Sequence, residues 1–254
     1  MKKILCLVAI LFISFNLSAT PTKITVRVKA KDAKFIGNSM GGAHIIIRDK
    51  ISGEILSQGK TTGGTGNTGL IMNTPRERGM RISDDGTSGY IAELDIDEPL
   101  LVRIEVLAPF NKKQASVAAS TEIWVLPGKD ILGDGIVLEI PGFVIDILNP
   151  RTHQFISLKS LKDGIIEVKA NVVMMCGCTI SDGGLWDANK MEVKGILKRN
   201  GKALGEIDLN IKEPNLFAGN FKVDGGGVYE LIVYAYNPES GNTGVDKINY
   251  IINE

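Results

Sequence analysis

Thr22-Lys23-Ile24-Thr25-Val26-Arg27-Val28-Lys29-Ala30 decides the fold class. Ile24, Val26, Val28 and Ala30 share one face of this stretch, and Arg27 and Lys29 take the other. That two-residue period is the signature of a half-buried strand and is incompatible with the 3.6-residue stripe of an amphipathic helix. The same alternation returns at Ala43 to Arg48, Tyr90 to Ile96, Leu100 to Leu107, Ile136 to Ile140 and Phe143 to Leu148. It continues through Ile165 to Met175, Met191 to Lys198, Ile207 to Ile211, Phe217 to Val223, Tyr229 to Tyr236 and Lys247 to Ile252. Gly, Asn, Asp and Pro clusters separate these runs, and Asn200-Gly201 is the strongest hairpin signal. No convincing helical stripe of a dozen residues stands between consecutive runs, so parallel sheets with helical crossovers are excluded and stacked sheets are expected.

Residues 1–19 carry the parts of a secretory signal: Lys2 and Lys3, an apolar run from Ile4 to Phe15, and small residues Ser18 and Ala19 at a cleavage point. The run is shorter than the ~20 apolar residues of a membrane span, so a mature chain without a transmembrane segment is expected, in the periplasm or secreted. The 254 residues hold 29 basic and 29 acidic side chains. Without Lys2 and Lys3 the mature balance is slightly acidic, which leaves no basic field for nucleic acid or an anionic membrane. The expected organisation is a β-sandwich over 20–150 and a second over 151–254. The break falls in the polar segment after Asn149-Pro150, with Pro141-Gly142 as the other candidate.

The segments "GGAHIIIRDKISGEILSQGKTTGGTGNTGLI" (41–71) and "GYIAELDIDEPLLVRIEVLAP" (89–109) resemble the transthyretin-like, carboxypeptidase regulatory-like domain. A long insert from Asn67 to Ser88 separates the matching strands. The carboxyl end "GGVYELIVYAYNPESGNTGVDKINYII" (226–252) is similar to the last hairpin of bacterial immunoglobulin-like domains. Both resemblances imply sandwich folds and neither implies an activity.

Met174-Met175-Cys176-Gly177-Cys178 is the sharpest local feature. Alternation places Met174 and Cys176 on one strand face, with Met175 opposite. Two thiols and a thioether at one strand end suit Cu(I), and zinc would need further ligands such as His153. The competing readings are a local Cys176–Cys178 disulfide in an oxidising compartment, eased by Gly177, and inert buried thiols. Asp182, Trp186 and Asp187 form a Gly-rich segment in which the indole can stack on a sugar ring, or can pack at a sandwich edge while the carboxylates cap turns. The Gly63 to Gly69 run reads as an exposed loop open to partner contact. No catalytic set is visible. His44 and His153 fall in different halves, and no nucleophile elbow, zinc-protease motif or phosphate loop is present. The expected function is non-enzymatic binding or scaffolding of an envelope protein or glycan through sandwich loops. The alternative is a periplasmic copper-binding or thiol-redox protein.

Overall fold

A computed structural model describes residues 20–254; the signal peptide expected over 1–19 lies outside them. The amino-terminal strands are β1 (Thr20–Ala30), β2 (His44–Asp49), β3 (Ile55–Lys60), β4 (Tyr90–Ile96), β5 (Leu100–Ala108), β6 (Val117–Val125) and β7 (Ile131–Ile140). They are followed by β8 (Phe143–Asn149), β9 (Phe155–Ser157), β10 (Ile165–Met174), β11 (Ile180–Ser181), β12 (Trp186–Asp187) and β13 (Glu192–Arg199). The chain ends with β14 (Lys202–Asp208), β15 (Asn210–Glu213), β16 (Leu216–Lys222), β17 (Gly227–Asn237) and β18 (Asn242–Asn253). Helical structure among the described residues is confined to single 3-10 turns and one π turn at Gly69–Asn73. None is long and apolar enough to cross a membrane.

The chain is all-β and builds two sandwiches. In the first, a sheet ordered β4-β1-β7 faces one ordered β3-β2-β5-β6; in the second, β15-β16-β10-β8 faces β14-β13-β17-β18-β9. Ile24, Val26, Val28 and Ala30 of β1 are all buried, as the alternation requires. Full burial of such a side chain contributes about 1.5–3 kcal/mol. In the second sandwich Val168, Ala170 and Val172 of β10 meet Leu231, Val233 and Ala235 of β17 within one apolar cluster that also contains the first core. Asn200 and Gly201 take φ of 49° and 79°, the mirror-image turn that the β13–β14 hairpin needs.

Sheet membership changes at Pro141-Gly142. β7 ends in the first sandwich, whereas β8 pairs antiparallel with β10, so Phe143–Asn149 has its sheet partners on the carboxyl side of the 150/151 division.

Residues 67–88 do not form an open excursion. Ile71 and Ile82 pack with Phe35 in a small second core, which lies over the outer side of β1. Arg27 and Lys29, on the face opposite the main core, are buried as a result. The Arg27 guanidinium donates to the Thr87 and Ser88 carbonyls. The Asp134 carboxylate accepts from the Ile82 amide at 2.9 Å, the Ser83 amide at 2.8 Å and the Ser83 hydroxyl at 2.6 Å. The Gly63 to Gly69 run, expected as a free loop, is tied into the same layer. Gly64 N–H donates to Gly86 O, Ser88 N–H to Gly64 O and Phe35 N–H to Thr65 O.

Candidate functional site

The two sandwiches meet where β10 ends. Alternation along β10 stops at Val172, and Val173, Met174, Met175 and Cys176 are all buried. The chain then reverses: Gly177 N–H donates to Met174 O at 2.7 Å, and Met174 N–H to Cys178 O at 3.2 Å. Gly177 adopts φ +79°, and a Cβ there would stand 2.7 Å from Met40 Sδ, so the thioether of Met40 lies directly on the Gly177 backbone. Met40 comes from the 3-10 turn Asn38–Met40 of the other sandwich. The sequence gives no cue to it, because nothing in the order of residues brings position 40 beside position 177.

Cys176 is buried and Cys178 half-buried, and both are free thiols. The two thiols lie close enough to shift each other's titration, and the Lys34 backbone acts on both. The bond from Cys178 is the main cause that lowers Cys176 to about 7; burial opposes it, and the Lys34 amide and ammonium assist it. The Cys178 thiol is pushed up, first by its bond to Cys176 and then by burial. The two thiols therefore titrate together, with Cys176 the first to ionise.

The other expected ligands are placed elsewhere. Met174 is a buried core side chain, and Met175 reaches Gly142 in the link between sandwiches, where a Cβ would stand 2.9 Å from its methyl. The His153 N–H bonds Asn249 O near the far end of β18. Asn242, which receives the Gly142 N–H at the junction, lies seven residues earlier, roughly 20 Å along the strand. The zinc set that includes His153 is therefore not assembled. Among the described residues no three His, Cys, Asp or Glu side chains converge as a metal site.

Trp186 is a strut and not a sugar platform. It is only 9% exposed, and its indole Nε1–H donates to Asp32 O at 2.9 Å across the junction. The Asp187 carboxylate accepts from the Gly183 and Asn189 amides, while Asp182 accepts from the Asn189 side chain. These amide bonds hold the Asp187 carboxyl below its usual range. The loop is thus structural: it closes on itself and presents no open indole face. Asn242 Nδ2 donating to Lys31 O and Lys112 paired with Asp146 at 2.7 Å complete the junction.

The open surface lies on the first sandwich. β6 ends the sheet β3-β2-β5-β6, and its register with β5 runs unbroken from Val117 to Val125. Ala118, Ser120, Glu122 and Trp124 sit opposite Leu107, Glu105, Arg103 and Leu101 on the outer face. The small side chains at 118 to 120 leave a cleft of about 370 Å³, lined also by His44, Ile46 and Leu107. Trp124, six residues along the same face, is 59% exposed. Phe110 stands beside the cleft, its ring 5.5 Å from that of His44 and under Lys60 Nζ.

No family of known proteins matches the chain, and no curated protein matches it. Among solved structures it is similar to fibronectin(III)-like modules of Clostridium thermocellum CbhA, with 10% identity, 91% of this chain, 93% of that one and TM-score 0.30. It is also similar to BcpA, the major pilin subunit of Bacillus cereus, with 10% identity, 91% of this chain, 69% of that one and TM-score 0.33. An engineered protein matches at 14% identity over 48% of this chain and 22% of its own length, with TM-score 0.33. Every score is below 0.5, so the fold rests on the sheets of this chain itself.

Proposed function

We propose that the chain is an exported, non-enzymatic binding or scaffold protein that acts through the edge of β6, in the periplasm or outside the cell. The observation that carries this reading is that β6 lacks the usual edge protection. Sheet edges are normally blunted by charges, proline, bulges or short length, since unpaired main-chain groups invite another strand. The edge strands β3, β7, β8, β14 and β15 have irregular register, β9 has three residues, and β4 carries Glu93 and Asp95. β6 has nine residues in unbroken register, no proline, and Glu122 as its only ionisable side chain.

The best-fitting occupant is a second copy of this chain. An antiparallel β6–β6 pair centred on Thr121 sets Trp124 of one copy against Ala118 of the other, beside the cleft, and Ser120 against Glu122. Knob and hollow are thus self-complementary about a two-fold axis, the symmetry of an isologous dimer. Cross-strand pairs of this kind add to the main-chain bonds of strand addition.

Sedimentation velocity of the mature chain is expected to show a concentration-dependent dimer. Thr121→Pro removes a main-chain donor and Trp124→Glu places a charge on the interface, so each is expected to sediment as a folded monomer. A parent chain that stays monomeric at tens of micromolar, or variants that dimerise as it does, would overturn this reading.

A further inference from the structure

We infer that Cys176, Cys178 and Met40 form a three-sulfur site for a soft monovalent cation, Cu(I), at the seam between the sandwiches. This site is independent of strand pairing at β6. Three observations converge on it. The tight turn Met174 to Cys178 folds both free thiols, two residues apart, back over the end of β10. The Met40 thioether, from the other sandwich, lies on Gly177 between the two cysteines, and only glycine leaves it that room. No histidine or carboxylate joins them among the described residues, so the donor set is wholly sulfur.

Thiolate and thioether donors favour Cu(I) over harder divalent ions, and three donors match a low coordination number. Zinc generally takes four ligands, commonly with nitrogen among them, and finds only three here. On loading, the cation takes its place between Cys176 and Cys178, and each thiol that still carries a proton gives it up to the buffer. Because one donor belongs to the first sandwich and two to the second, the cation also ties the two units together.

The test uses the reduced, full mature chain, titrated anaerobically with Cu(I) against a chromogenic Cu(I) chelator. One equivalent is expected to bind, with a thiolate-to-copper ultraviolet band. Cys178→Ser, at the half-exposed position, is expected to weaken binding by more than about 100-fold, beyond the loss caused by removing an outer-shell partner. Met40→Leu keeps the apolar bulk and is expected to cost about 10-fold, while Met175→Leu, directed at Gly142, should change nothing. Unchanged affinity in Cys178→Ser overturns the site, and unchanged affinity in Met40→Leu overturns the three-sulfur assignment. A parent chain that takes up no Cu(I) overturns both.

Discussion

Replacing Trp186 by alanine is expected to lower the free energy of unfolding by about 3–5 kcal/mol. The indole is nearly buried at the seam, and it alone supplies the bond to Asp32 O from the Gly-rich loop. Its removal leaves a large cavity in the apolar cluster that runs through both sandwiches, together with an acceptor lacking that donor. Of the other seam contacts, Lys112 with Asp146 is partly exposed and couples the units weakly, whereas the buried Asn242 bond to Lys31 O and Met40 packed on Gly177 stay in place. Trp186→Phe keeps the ring and loses only the hydrogen bond, for which about 1 kcal/mol is expected. Urea unfolding followed by circular dichroism measures both variants. A Trp186→Ala change within about 0.5 kcal/mol, the range of ordinary surface substitutions, would show that the indole does not hold the seam.

Asp134→Ala is expected to release residues 67–88 from the outer side of β1, at a cost of about 2–4 kcal/mol. Two backbone donors, Ile82 and Ser83, and the Ser83 hydroxyl converge on this carboxylate, and none has a substitute when it is gone. Trypsin reads the outcome, because Arg76 and Arg78 are exposed within the segment: cleavage there should rise while both sandwich cores stay folded. Acid does the same to the parent chain. Burial pushes the Asp134 carboxyl up, but the hydrogen bonds from Ser83 and Ile82 together outweigh it and leave the group below its usual value. Its stabilisation is therefore full above the unfolded carboxylate pKa of about 3.9 and is lost as pH falls through the lower folded value. Trypsin does not cleave in acid, so hydrogen exchange across 67–88 is the readout below about pH 4. Exchange across 67–88 that is the same at neutral pH with and without Asp134 would contradict the latch.

The sandwich framework was legible because burial on one face of a strand imposes a two-residue period, and β1, β5, β10 and β17 keep it. β6 was not, since Ala118, Ala119, Ser120 and Thr121 blur the contrast between faces. The same small residues that hide the strand create the cleft. Arg27 and Lys29 read as the outward face of β1, and they do face away from the main core. Their burial depends on the insert, whose lack of any period conceals that it forms a covering layer. Trp186 in a Gly-rich loop has the composition of an exposed ligand platform, and only the arrival of Asp32 from the other sandwich turns it inward. Cys176 and Cys178 stood out by type and spacing, whereas Met40 is joined to them solely by the packing of one unit on the other.

Amide hydrogen exchange along Val117–Val125, followed against protein concentration, tests most directly whether β6 is the contact edge. Alternate amides of β6 should exchange freely in dilute protein and become protected as the chain concentrates, with no such change in the charged edge strand β4. Exchange in β6 that stays the same at every concentration would contradict the assignment.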